Sequence, residues 1–559
     1  MKLKQVLWLG LLTVYLTPGV LPVVASFLTV LALAQEQNTV SPEQEGTITP
    51  SDAIVEVDSK QAEADKLFQQ GMSHVRRSEF PEALQSWQQA LVIYKQIGYR
   101  KGEANSLYNL GVTYYHLGNY KKAIDYHQQS IAIAREIGHR KVEGASLIGL
   151  ATTYHHLGEY KKAIDYYQQS IAFQREIGNR KGEANSLYNL GNAYRTLGEY
   201  KKAIDYYQQS IAIAREIGYR LGEANSLGNL GNAYYHLREY KKAIDSLQNS
   251  LAIAREIGNR KGEANSLGNL GSAYDDLGEY KKAIDYYQKS LAIAREIGNR
   301  QGEANSLGNL GIAYSHLGEY KKAIDYHQQS IAIKREIRDH QGEANSLHNL
   351  GVEYGTLGEY KKAIDYYQKS LALAREIGDR KREANSLHNL SDAYKNLGDY
   401  KKAIDYHQQS LDIFRKIRDR QGEAMSLNNL GLVYKNLGEY KKAIDYYQQS
   451  LAIATEIRDR EGEAKSLTNL GITYKNLADY KKAIDYHQKS LAIATEIRDH
   501  QGEAASLTNL GIAYDNLGDY KKAIDYYQQS LDIFRKIEHR EGEARSLTNL
   551  GIAYKNLAD

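Results

Sequence analysis

Within the stretch 101–140, Leu107, Leu110, Gly111, Tyr114 and Leu117 stand at offsets 0, 3, 4, 7 and 10. That spacing lays one stripe along an amphipathic helix, and period-two alternation does not fit it. Gly118 then stands where a left-handed C-cap is wanted. Tyr120 opens a second helix whose apolar side includes Ala123, Ile124, Ile131 and Ile137, and Gly138 closes it. The pattern predicts a helical hairpin, helix A followed by helix B. Gly111, in mid-helix, is expected to let two helices approach closely, despite costing about 1 kcal/mol against alanine. Ala151 and Ser391 replace it in two later copies.

The hairpin returns in phase every forty residues, at 141, 181, 221 and onward to 501, and Lys-Lys-Ala-Ile-Asp alone occurs eleven times between Lys121 and Lys521. A fixed period of this size marks a solenoid of stacked units. The expected organisation is a segment 1–34, a linker 35–59 and an array over 60–559. The array comprises twelve repeats and a final helix A at 541–559. The first repeat, 61–100, is degenerate: Gln69-Gln70, Arg76-Arg77, Pro81 and Trp87 replace consensus residues, as an atypical N-terminal cap should. Pro81 falls at the start of helix B, where a missing N–H is tolerated.

Leu107-x-x-Leu110-Gly111-x-x-Tyr114 followed by Gly118-x-Tyr120-x-x-Ala123 resembles the tetratricopeptide repeat, with Leu107 in place of its usual tryptophan. The unit lacks the closing proline and continues helix B. It is similar to the forty-residue variety of kinesin light chains and the Pins/LGN adaptors. The resemblance implies an all-α fold, a right-handed α-solenoid superhelix whose inner groove is lined by helix A. It implies a scaffold and names no ligand.

Composition narrows the remaining choices. There is no cysteine, hence no disulfide framework and no thiolate metal site. Lys+Arg and Asp+Glu nearly balance, 72 against 68, and are interspersed in every repeat, unlike the basic stripe of a nucleic-acid binder. Of five prolines, four precede residue 51 and the last is Pro81, so no proline breaks the array beyond it.

Lys2 and Lys4 precede an apolar run from Val6 to Ala34 that ends Ala32-Leu33-Ala34, the marks of a secretory signal. The rival reading is a retained membrane anchor, since the run is long enough to span a bilayer. An exported protein, periplasmic or extracellular, is expected. Residues 35–59 are polar and acidic and read as a flexible tether.

The repeats vary unequally along their length. Helix B hardly varies, whereas helix A varies at 108, 112, 115 and 116 and their equivalents, which the resemblance places in the groove. Two further positions there barely change: Asn185, Asn225, Asn265, Asn305, Asn345 and Asn385 in one series, Asn189, Asn229, Asn269, Asn309, Asn349 and Asn389 in the other. A carboxamide offers donors and an acceptor, so paired asparagines suit the peptide units of an extended chain. The bland alternative for the second series is a local bond to the neighbouring helix. From repeat nine, Lys395, Lys435 and Lys475 recur beside Asn396, Asn436 and Asn476, a row suited to an acidic-apolar peptide. Asp515 breaks that row, and drift among duplicated copies is its rival explanation.

Nothing nominates a general acid, a phosphate loop or a nucleophile. The sixteen histidines read as solvated groups, not ligands, and no cofactor is expected. The chain therefore reads as a non-enzymatic scaffold for a protein or an extended peptide, not for a small-molecule substrate. Its rival is the regulatory part of a larger protein with a downstream caspase-like CHAT peptidase domain. The last helix A retains the apolar stripe of an internal copy, so self-association through that end is also expected.

Overall fold

The computed structural model describes residues 52–558, and every regular element among them is an α-helix. From Arg100 the helices alternate: helix A (Arg100–His116), a turn at Leu117-Gly118-Asn119, helix B (Tyr120–Glu136), a turn at Ile137-Gly138-His139, and helix A again from Arg140. Both turns use the left-handed backbone expected of them, with φ of 72° at Gly118 and 65° at Gly138. Where the last residue of the turn is Asn or Asp, the next helix starts on a side-chain cap. The carboxamide oxygen of Asn179 accepts from the Gly182 N–H, and the Asp419 carboxylate accepts from that of Gly422. Pro81 is in the first turn of Phe80–Gln96, as the sequence predicts.

Contacts divide the chain into two compact units, one ending at Gly298 and one beginning at Asn299. Within each, a helix packs on the helices next to it in the chain. Helix A also touches the next helix A, as Arg100–His116 does Arg140–His156 and Arg420–Asn436 does Arg460–Asn476. Successive helices B stand further apart. A stack that touches along one layer and splays along the other curves toward the touching layer, so within each unit helix A lines the concave side.

Three devices repeat through both stacks. The Ser130 hydroxyl donates to the Ala104 carbonyl at 2.9 Å and meets the Ser146 hydroxyl at 2.9 Å, joining helix B to its own helix A and to the next one. Tyr114 stacks on Tyr126 with centroids 5.3 Å apart and the Lys122 ammonium over its face. Glu143, buried, takes Arg135 Nε at 2.7 Å and Arg140, which also reaches Glu176 in the following helix B. Such a carboxylate is satisfied by two guanidiniums whose outer faces stay wet.

Two expectations change. Residues 52–59 are not tether but the start of the first helix, Asp52–Arg76, which is anchored by buried Ala64, Phe68, Met72 and Val75. Pro50 is the last helix breaker before it, so nothing stops the helix from extending that far. Several histidines expected in solvent are in the core: His127, His327, His407 and His487 are at most 1% exposed, packed where sister repeats place a tyrosine. In the last helix, Arg540–Ala558, Leu550 is buried, while Leu547 and Tyr554 of the expected apolar stripe, and Ile552, are exposed. The apolar run 6–34 lies outside the described residues, and no described helix is long and apolar enough to cross a membrane.

Candidate functional site

The concave layer is built from residues one helical turn apart on helix A, and the structure separates its two asparagine series. The second series bonds across the repeats. Asn229 Nδ2 donates to Tyr188 Oη at 3.0 Å and to Asn192 Oδ1 at 2.8 Å, within the first unit. In the second unit Asn389 Nδ2 meets His348 Nε2 at 3.1 Å and Asn469 Nδ2 donates to Asn428 Oδ1 at 3.0 Å. Asn189 is buried, and Asn269, Asn309 and Asn349 are half-buried. The neighbouring-helix role considered for this series is the one the geometry gives Asn229 and Asn389.

The first series faces outward. Asn265 and Asn305 are exposed, and Asn185, Asn225, Asn345 and Asn385 are half-buried. Gln301 Nε2 donates to Asn305 Oδ1 at 3.2 Å, which leaves that amide nitrogen to other partners. The carboxamides most open to a ligand are therefore those of Asn265 and Asn305.

Glycine makes room beside them. Position 108 and its equivalents hold tyrosine in two early repeats, and Tyr188 there is buried beside Tyr207 of helix B and accepts from Asn229 Nδ2. Gly228, Gly268 and Gly308 take its place in three successive copies. A Cβ on Gly228 would meet only Ser250 Oγ, at 3.3 Å, and one on Gly268 only Ser290 Oγ, at 3.6 Å. A chain passing Asn225 and Asn265 in the first unit can approach helix A beside Gly228 and Gly268, which carry no side chain. The asparagine pattern did not reveal this; the run of glycines was its visible signal.

The variable positions turn out to be partners of one another. Tyr115 Oη lies 3.0 Å from His156 Nε2, and His155 Nε2 lies 3.2 Å from Thr196 Oγ1, so position 115 of one copy bonds position 116 of the next. Part of the variation along helix A is thus internal matching between repeats.

In the second unit Lys395, Lys435 and Lys475 are half-buried along helix A. Burial holds Lys435 below the usual lysine range, and the charges of Lys475 and Lys395 add to it, so the three ammoniums share one field. Lys395 is partly neutralised by Asp392 at 2.7 Å. Burial alone would raise the Asp392 carboxyl, but His407, His388 and Lys395 more than offset it and hold the group below the usual range. Asn429 Nδ2 meets His388 Nε2 at 2.9 Å in the same cluster. Among the described residues no three histidine or carboxylate side chains converge to hold a metal ion.

Comparison with known proteins agrees with this architecture. The tetratricopeptide repeat profile matches ten stretches, from 63–136 to 503–559, which together take in nearly all of that span. No curated protein matches the chain significantly. Among solved structures, BtubC (BKLC) from P. vanneervenii is 22% identical, covering 39% of this chain and 92% of its own, with a TM-score of 0.37. A signal-transduction ATPase with a tetratricopeptide repeat sensor, from Pyrococcus horikoshii, is 18% identical over 61% of this chain and 53% of its own, with a TM-score of 0.47. A Rap protein complexed with Competence and Sporulation Factor is 17% identical over 64% of this chain and 99% of its own, with a TM-score of 0.43. The chain belongs to the tetratricopeptide repeat family.

Proposed function

We propose that this protein is a scaffold that holds an extended segment of another polypeptide along helix A, and that it works outside the cytoplasm. The observation that carries the reading is the exposed carboxamide of Asn265 on a concave face cleared by Gly228 and Gly268. An extended strand advances about 3.3 Å per residue and neighbouring helices pack about 8–10 Å apart, so each repeat meets about three ligand residues. In the second unit the lysine row adds a preference for acidic residues, chiefly as selectivity and encounter rate. Export rests on the sequence of residues 1–34.

A library of random dodecapeptides panned against the full chain tests the groove. Asn225, Asn265 and Asn305 changed together to alanine should leave helix content intact, because the first series bonds no neighbouring helix. Affinity for the selected peptides should fall at least tenfold, at about 0.5–1.5 kcal/mol per lost hydrogen bond. Unchanged affinity in the folded triple variant would overturn the reading. The exposed Leu547, Ile552 and Tyr554 further support self-association of the last helix. Sedimentation should show oligomers that grow with concentration and shrink when these three become polar.

A further inference from the structure

Apart from the atypical first repeat, which has His74 and Ser86, one repeat lacks a ring that the others share. In ten repeats the tyrosines equivalent to Tyr114 and Tyr126 lie nearly parallel, with centroids 5.3–5.5 Å apart and planes within 11°. In the repeat 221–260 the first ring is present as Tyr234, but the second position is Ser246. A cavity of about 590 Å³ opens there, on the helix B side, between Tyr200–Glu216 and Tyr240–Glu256. Its floor is Leu227, Leu230 and Tyr234, and Ile211 and Ser246 form facing walls.

The fittings for a phenol remain. Gln208 Nε2 donates to Tyr234 Oη at 3.4 Å, as Gln88 Nε2 does to Tyr114 Oη at 3.3 Å in a filled repeat. Lys242 Nζ still stands over the Tyr234 ring, at 5.4 Å, against 5.0 Å for Lys122 over Tyr114. Ser246 turns its hydroxyl away, donating to the Lys242 carbonyl at 2.9 Å, so the wall toward the cavity is small and carries no competing donor. Arg215, Lys241, Asp245 and Asn249 form a polar rim. The molecule thus supplies its own template: in filled repeats this space holds the side chain of a tyrosine.

We propose that the slot at Ser246 is a second binding site, on the face opposite the concave groove, and that it receives one tyrosine side chain of a partner polypeptide. The ring lies parallel to Tyr234, and the polar rim meets the backbone on either side of it. This site does not depend on the asparagine groove and survives if that reading fails.

The test is ligand-observed NMR on the full chain with p-cresol and with the capped tripeptide Gly-Tyr-Gly as probes. Both should give saturation transfer with the native chain, the tripeptide binding more tightly because its backbone meets the rim. Ser246→Tyr restores the ring found in sister repeats, so it should fold, raise the melting temperature and weaken both probes at least tenfold. Tyr234→Leu removes the stacking partner and should also weaken both. Alanine at Asn225, Asn265 and Asn305 should change neither. Binding of p-cresol that is unaffected by Ser246→Tyr would overturn the site. Binding of p-cresol without the tripeptide would overturn the polypeptide as its occupant.

Discussion

A Cβ placed on Gly191 would come within 2.6 Å of Tyr207 Cε1, so the tyrosine of helix B dictates the glycine of helix A. At Gly551, in the last helix, the same atom would meet nothing within 4 Å. The two glycines occupy the same place in the repeat, and alanine should act on them with opposite sign. Gly551→Ala should stabilise its helix by up to about 1 kcal/mol from propensity alone. Gly191→Ala should destabilise by roughly 1 kcal/mol, crowding outweighing propensity. The loss is held to that size because Ala151 faces Tyr167 in a sister repeat. Chemical denaturation of the two variants beside the native chain measures both.

Left-handed backbone should be relieved by glycine. Arg418, Arg458 and Arg498 have φ of 57–59° at the position where Gly138 has 65°. An L-residue pays about 1–2 kcal/mol of steric strain there, offset in part by the greater freedom glycine gains on unfolding. Arg418→Gly should therefore be neutral to about 1 kcal/mol stabilising, whereas Gly138→Arg should destabilise. The melting curves of the two variants decide it.

Acid should loosen the core through its histidines. Burial pushes His127 down to about 3; burial, then Lys334, takes His327 to about 4; burial, then Lys475, takes His487 to about 4. Folded, these rings stay neutral where the unfolded chain, titrating near 6.5, takes up protons. Stability is therefore fully present above about pH 6.5 and falls as pH drops toward 4. Each histidine should contribute about 2 kcal/mol of that loss between pH 6.5 and 5. Changing all three to tyrosine, the residue at Tyr167 and Tyr447, should flatten the stability profile over that interval, as read by urea unfolding at several pH values.

The buried end of the ion ladder should matter more than its exposed ends. Glu223 is 3% exposed and takes Arg215 Nε at 2.6 Å and Arg220 Nη1 at 2.5 Å. Glu256, the other partner of Arg220, is exposed. Glu223→Gln should cost about 1–3 kcal/mol, since a buried group loses charge-assisted bonds, and Glu256→Gln clearly less, because water screens the exposed pair. Thermal unfolding of the pair of variants separates the two.

Helix A, helix B and both turns were legible in the sequence because offsets such as Leu107 to Tyr114 and glycines such as Gly118 are local signals. The reason for Gly111 was legible only as close packing; that its neighbour is the His127 ring takes three dimensions. The serine staple went unread because Ser130 and Ser146 belong to different repeats and look like ordinary polar residues. The histidines were misjudged for a related reason. Position 127 alternates between His127 and Tyr167, which looks like tolerance of polarity on a surface, but both rings fill the same core space. The asparagines were legible as a pattern and not as roles, because a carboxamide at Asn229 and one at Asn265 differ only in what the adjoining repeat offers them.

The central claim is that helix A holds the extended segment. A photo-crosslinking residue placed at Asn265, on the concave layer, or at Asp285, exposed on helix B of the same repeat, can be challenged with the panned dodecapeptides. The account predicts crosslinked peptide from position 265 and none from position 285. Crosslinks from 285 with none from 265 would contradict it.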